Sequence, residues 1–309
     1  SASLLAKWLP SSNTSSKDAR KTARELIRLM YGDNTPNTER LYRKTLSALR
    51  KYLDVVEVKM TAKEWDKIDY SKVPSKAALR YKEAFYRNDP ERYAEYLAGL
   101  ETGETKVNAS VTYPYEIVHK YLAQGVRYAG GVDKLLENAW KSLPNYLEGV
   151  DERAIVVADT SGSMSGQPME VSISLAIYCA QRLEGEFKGK YISFSANPTI
   201  NSVYEDATLA ENIQRVYNTD WGMSTDINKV FNLILRTAVK AKMSQDQLPD
   251  KIIIVSDMEF DAANGRHSYW SNDEPEPLTE TNYQAAKRKF AKHGYKIPQV
   301  VFWNVDAKA

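Results

Sequence analysis

Ala154-Ile155-Val156-Val157-Ala158-Asp159-Thr160-Ser161-Gly162-Ser163-Met164-Ser165-Gly166 is the stretch whose reading decides the fold. An unbroken apolar run with β-branched residues ends abruptly in a carboxylate, and closely spaced hydroxyls and glycines follow. Such a run reads as a buried strand. Pro168 then precedes an apolar-periodic segment through Met169, Val171, Ile173, Leu175, Ile177, Cys179 and Leu183. Proline in a first turn marks a helix start. The stretch is therefore strand, polar loop and helix. In open parallel α/β sheets, ligands bind beyond the carboxyl ends of the strands. A carboxylate with several hydroxyls is a set of hard oxygen ligands, suited to Mg2+, Mn2+ or Ca2+ rather than zinc.

The pattern continues outward on the C-terminal side. Strands are predicted over 153–158, 190–195, 199–204, 251–256 and 298–303, and helices over 168–184, 208–217, 226–241 and 281–292. Alternating strands and helices imply βαβ units and a parallel sheet. Crossovers should be right-handed. Asn264 to Glu280, polar and proline-containing, reads as a long loop at the rim of the Asp257 strand.

On the N-terminal side the period is helical throughout. A helix over 18–31 has Ala19, Ala23, Leu26, Ile27 and Met30 on its apolar face, and Arg20, Arg24 and Arg28 on another. A longer one from Pro36 to about Leu53 is predicted to bury Leu41, Thr45, Ala48, Leu49 and Tyr52. Arg40, Arg43, Lys44, Arg50 and Lys51 lie away from that stripe. Thr61-Ala62-Lys63-Glu64 fits a capping box opening a short helix through Trp65. Further helices are read from Ser75, Pro90 and Pro114 and over 132–143, packed in antiparallel pairs that a solenoid-like stack would accommodate. No sequence repeat is visible.

The chain of 309 residues fits two domains at roughly 150 residues each. The expected division is an all-helical basic domain over 1–150 and a doubly wound, mainly parallel-sheet α/β domain over 151–309. Residues 1–150 carry 25 Lys and Arg against 19 Asp and Glu, whereas residues 151–309 carry 17 against 21. A basic part beside an acidic one suggests two binding functions. No apolar run approaches the ~20 residues of a membrane span, and no signal-peptide segment opens the chain. With Ser1 rather than Met first, the chain reads as processed or as part of something longer. The lone Cys179 can form no internal disulfide and fits a packing role. His119, His267 and His293 have no zinc spacing. These features suit a cytoplasmic, non-membrane protein of unspecified oligomeric state.

The spacing Asp159-x-Ser161-x-Ser163 resembles the metal-ion-dependent adhesion site of von Willebrand factor A domains. That family's site adds a Thr on a second loop and an Asp after a later strand. Thr225, in Trp221-Gly222-Met223-Ser224-Thr225-Asp226, and Asp257, after Lys251-Ile252-Ile253-Ile254-Val255-Ser256, match them in the family's order. The resemblance covers residues 150 to 306. It implies a Rossmann-like fold and a metal (Mg2+, or Mn2+ or Ca2+) held by Asp159, Ser161, Ser163, Thr225 and Asp257. It also implies capture of a partner's Glu or Asp at the metal. Glu259 and Asp261 read as solvated loop charges, and Asp226 as a helix-start charge.

An all-helical module followed by such a domain resembles the Ro autoantigen (TROVE) family, and an uncharacterised Ro-like family more closely. The second resemblance rests on Ala6-Lys7-Trp8, Arg80-Tyr81-Lys82-Glu83, Trp221-Gly222-Met223, Ser256-Asp257-Met258-Glu259-Phe260-Asp261 and Val301-Phe302-Trp303-Asn304. The Ro resemblance implies RNA as a further partner. The candidates are Arg20, Arg24, Arg28, Arg40, Arg43, Lys44, Arg50 and Lys51; Tyr42, Tyr52, Tyr81 and Tyr86 could offer stacking surfaces, with core or boundary packing the better account of most of them. Three functions compete. One is a non-enzymatic binder of an acidic protein ligand and RNA, and another is a protein-protein scaffold without nucleic acid. A metal-dependent hydrolase is disfavoured, because no activating base accompanies the ligands.

Overall fold

A computed structural model describes residues 5–107, 112–123, 132–149, 153–195, 197–219, 227–257 and 282–305. Its contacts divide the chain into two compact units, residues 1–73 with 80–96, and residues 74–79 with 97–309. The helices before the sheet are α1 (Leu5–Trp8), α2 (Lys17–Tyr31), α3 (Pro36–Tyr52), α4 (Val56–Thr61), α5 (Ser75–Asn88), α6 (Pro90–Thr102), α7 (Pro114–Ala123) and α8 (Lys134–Lys141).

In the first unit, Ser16 caps α2 by accepting from the Ala19 amide at 3.3 Å. Gly32 ends it at φ 86°, a left-handed conformation that favours glycine. Pro36 and a reciprocal Thr35–Thr38 cap start α3. Ala23, Ile27, Tyr42 and Leu46 form the shared core, with Leu9, Leu26 and Tyr31 packed against it.

The buried face of α3 is rotated from the expected one. Tyr42 and Leu46 are inside, whereas Leu41 is exposed and Tyr52 is 72% exposed. The cause is the segment before α2, which lies on α3. Tyr42 donates its hydroxyl to the Pro10 carbonyl at 3.0 Å. The Arg50 guanidinium donates to the Leu9 carbonyl at 2.6 Å, the Ser11 hydroxyl at 3.1 Å and the Ala6 carbonyl at 3.3 Å. A second correction concerns Thr61, which closes α4 instead of opening a helix. Its hydroxyl donates back to the Glu57 carbonyl at 2.7 Å. Only a 3-10 turn follows, over Trp65–Lys67. Beyond it Tyr70, Phe85, Tyr93 and Tyr96 make an aromatic cluster, with Tyr70 5.1 Å from both Phe85 and Tyr93.

The second unit is built on a five-stranded sheet, β1 (Ala154–Asp159), β2 (Lys190–Phe194), β3 (Ile200–Ser202), β4 (Lys251–Ser256) and β5 (Gln299–Asn304), in the order β3-β2-β1-β4-β5. All pairings are parallel except β2 with β3. The fold is thus α/β with helices, its sheet mixed but mostly parallel. The intervening helices are α9 (Gln167–Arg182), α10 (Leu209–Tyr217), α11 (Ile227–Ala241) and α12 (Asn282–Lys292).

One sheet face, carrying Ile155, Val157, Ile192, Phe194, Ile252 and Ile254, meets Val230, Phe231, Ile234 and Leu235 of α11 and Phe290 of α12. The alternation of side chains along a strand gives the other face to α9, which packs on β1, β2 and β4. This burial of both faces explains why the central strands read as continuous apolar runs.

Two helices read from sequence as belonging with the N-terminal half pack inside this unit. α7 lies on α9, and α8 touches α7 and α10. Glu137 of α8 is buried and accepts from the Leu209 amide at 2.8 Å and the Ala210 amide at 3.2 Å, at the start of α10. Tyr121 of α7 donates its hydroxyl to the same carboxylate at 2.7 Å. Among the described residues no helix is long and apolar enough to cross a membrane.

Candidate metal centre

The connection after β1 leads to β2 on one side, and that after β4 leads to β5 on the other. The carboxyl ends of β1 and β4 therefore flank the crevice where ligands bind in open α/β sheets. Register puts Ala158 beside Val255, so the next residues, Asp159 and Ser256, are neighbours. Ser256 donates its hydroxyl to Asp159 Oδ2 at 2.6 Å. The Ser161 amide donates to Asp159 Oδ1 at 2.9 Å, which folds the loop back over the strand end.

A 3-10 turn over Gly162–Met164 then turns the chain. It brings the Ser161 and Ser163 hydroxyls to 3.1 Å. Met164 is fully buried beneath the loop, and the Asp257 amide points at its sulfur at 3.2 Å. Gly166, at φ 91°, makes the final bend into α9.

Asp159 is fully buried, and Ser161 and Asp257 are each 8% exposed. Burial pushes the Asp159 carboxyl up from its ordinary range. The hydrogen bonds from Ser256 and Ser161 oppose that rise, and the charge of Asp257 adds to it. Among the described residues Asp159 has no ion pair. The Thr160 hydroxyl, also buried, has no hydrogen-bond partner among them.

Burying a carboxylate beside another without a cation is costly, so a hard cation suits this donor set. No group of three His, Cys, Asp or Glu side chains is found among the described residues. The donors are carboxylate and hydroxyl oxygens, a chemistry that fits Mg2+, Mn2+ or Ca2+ and not zinc.

Asp159, Ser161, Ser163 and Asp257 are thus brought to one place. Thr225, with Asp226, Glu259, Asp261 and the 264–280 loop, lies outside the described residues. Ser256 was missed by the sequence reading; the signal was its position between an apolar strand and Asp257. His119, read from sequence as outside any zinc spacing, has its Nδ1 2.6 Å from Glu170 Oε1 in the first turn of α9.

The basic candidates of the first unit are unevenly available. Arg28, Arg40, Lys44 and Lys51 are exposed. Arg20 is half-buried. Arg24 and Arg43 lie 3.8 and 3.7 Å from Glu39. Arg43 also donates to Ser12, and Arg50 is committed to the segment before α2. Of the four tyrosines, Tyr42 is core and Tyr81 is half-buried against Glu57, while Tyr52 and Tyr86 are exposed.

Two families match this chain. One, described as a domain of unknown function (DUF7788), matches residues 153–309, and another, a domain of unknown function (DUF2828), matches residues 1–149. The chain is also similar to the uncharacterized protein L728 of Acanthamoeba polyphaga mimivirus, at 33% identity over 318 residues. That similarity covers 98% of this chain but 52% of the viral protein, so the chain spans about half the length of this relative.

Proposed function

This chain belongs to the domain-of-unknown-function family DUF7788, and we propose that its α/β unit is a von Willebrand factor A-like domain that captures an acidic protein ligand through a divalent cation. It is a binding protein and not an enzyme. Asp159, Ser161, Ser163 and Asp257, with Thr225, hold Mg2+ or Mn2+; Ca2+ is the third candidate. One observation carries the reading. Two carboxylates end neighbouring parallel strands where their connections diverge, with two serine hydroxyls 3.1 Å apart on the loop between strand and helix.

The residues divide the work. Ser256 and the Ser161 amide each donate to one oxygen of Asp159 and orient it. Met164 anchors the loop from below. When bound, the cation supplies a Lewis-acid position that a partner's carboxylate completes. Calorimetric titration with Mn2+ tests this. The wild-type chain should bind, and Asp159→Ala should not, while its circular dichroism stays native. Unchanged affinity in that variant would remove the assignment.

RNA is the second partner in this reading, and the surface of α2 and α3 supports it. Arg28, Arg40, Lys44 and Lys51 are exposed there and have no ion pairs among the described residues, with Tyr52 exposed beside them. Phosphate contacts would give weak sequence preference and a steep fall of affinity with salt. Arg40→Gln, Lys44→Gln and Lys51→Gln together should weaken filter binding of single-stranded RNA about equally across sequences, and leave Mn2+ binding alone. If wild-type chain retains no RNA at low salt, the protein is a scaffold without nucleic acid.

A further inference from the structure

We propose that the groove between the C-terminal halves of α11 and α12 is a binding site for a small amphiphilic anion, one carrying two or more phosphate groups on an apolar or aromatic body. The groove encloses about 470 Å³, within the roughly 300–1,000 Å³ typical of small-molecule sites. Arg236 and Lys240 line it from α11, and Lys289, Lys292 and His293 from α12 and its end. Among the described residues no acidic side chain lines it. Among the described residues none of these cations forms an ion pair. The floor is aliphatic, made by Leu235 and Val239.

Cations in a last helical turn complement the helix dipole, which accounts for Lys240 and for Lys289 and Lys292 one at a time. It does not account for Arg236, more than a turn from the end of α11. Nor does it explain why basic side chains from two helices line the same groove. Like charges gathered on one groove repel, so the arrangement suits a ligand of opposite sign. Arginine and lysine contributed by two helices to one groove suit phosphate oxygens. The spacing favours that arrangement, since Arg236 and Lys240 are four apart and share a face of α11, as Lys289 and Lys292 share one of α12. Lys289 is oriented by donating to Asn232 Oδ1 at 3.3 Å. His293 is held by its Nδ1, 3.0 Å from the Lys289 carbonyl. The aliphatic floor would receive a base or similar flat group, which bare phosphate does not need.

The groove is separate from the candidate metal centre. α11 runs back toward the start of β4, and α12 toward the start of β5. Their C-terminal ends therefore lie at the amino edge of the sheet, opposite Asp159 and Asp257.

The test uses the full chain in EDTA, so that divalent cations take no part. ATP, tripolyphosphate and adenosine are titrated calorimetrically at low salt. ATP should bind, tripolyphosphate about tenfold more weakly, and adenosine not at all. Combining Arg236→Gln with Lys292→Gln should cut ATP affinity by about tenfold or more; both side chains are exposed, so the variant should melt with the wild type. Absence of ATP binding would overturn the site, and so would unchanged affinity in the variant. Equal binding of ATP and tripolyphosphate would overturn the role of the aliphatic floor. A single-stranded oligonucleotide that binds through the same two side chains while ATP does not would reassign the groove to nucleic acid.

Discussion

Glu137 and Asp159 are both buried acids of the second unit, and they are held by different kinds of partner. Glu137 receives two backbone amides of α10 and the Tyr121 hydroxyl, at 2.7 to 3.2 Å. It sits where the helix dipole is positive. Its charge is met by fixed donors of the fold, and nothing else is needed. Asp159 receives one amide and one hydroxyl, and faces a second carboxylate rather than a positive end. The same chemical group is thus a structural tie in one place and, in the other, a carboxylate with no positive partner among the described residues. Burial alone does not separate the two acids. The sign of what surrounds them does.

Removing the structural tie should have the largest effect. Glu137→Ala takes the acceptor from one buried and one partly buried amide and from the Tyr121 hydroxyl, and should cost about 3 kcal/mol of stability, read by urea denaturation. A loss below about 1 kcal/mol would break the comparison, because the two acids would then be equally dispensable to the fold.

Metal should produce the next effect, and only at the other acid. Mn2+ at about a hundred times its dissociation constant should stabilise the chain by about 2.7 kcal/mol, measured as a rise in thermal midpoint. Asp159→Asn should abolish the rise yet leave metal-free stability within about 1 kcal/mol of wild type, because it removes a charge that the fold does not compensate. A wild-type midpoint that ignores Mn2+ would place Asp159 with Glu137 as a structural residue.

Tyr121→Phe sharpens the first case. Glu137 keeps both amide donors, so the loss should be about 1 kcal/mol, again by urea denaturation. A loss as large as that of Glu137→Ala would show that the hydroxyl, not the helix start, holds the carboxylate.

The smallest effect concerns an acid at the sheet's opposite edge. Arg153 donates to Asp250 at 2.6 and 2.9 Å and holds its carboxyl below the usual carboxylate range. A lowered folded value stabilises above the unfolded carboxylate pKa near 4, and that contribution is lost as pH falls through the folded value. The pair is partly exposed, so it is worth under about 1 kcal/mol. Melting curves between pH 3 and 6 should show Asp250→Asn flatter on the acid side than wild type. Parallel curves would mean that the pair does not stabilise the folded state.

Much of the second unit was legible because its signals are local. The apolar runs of β1, β2 and β4 and the starts of α9, α10, α11 and α12 come within a residue or two of the elements observed. Asp159 and Asp257 stood out because a carboxylate that stops an apolar strand has few structural reasons to be there. The face of α3 was less legible. Leu41, Leu49 and Tyr52 satisfy a helical period as well as Tyr42 and Leu46 do, and the choice was made by the Pro10 carbonyl and the Arg50 contacts, over 30 residues away in sequence. Thr61 illustrates the same ambiguity, since a threonine with a glutamate three residues on can as well close one helix as open the next.

The sequence by itself determined which segments are strands and helices in the C-terminal half, and that two carboxylates and nearby hydroxyls end or follow those strands. Period, proline and glycine act over a few residues, so one dimension suffices to read them. Only the tertiary structure decided that β1 and β4 are neighbours, that Ser256 holds Asp159, that Glu137 ties α8 to α10, and that basic side chains of α11 and α12 line one groove. Each of these depends on pairing elements that are tens of residues apart. Strand order and helix docking settle such pairings by burying apolar faces against each other, and the acids carried along then meet either the positive end of a helix, as at Glu137, or, among the described residues, a second carboxylate, as at Asp159.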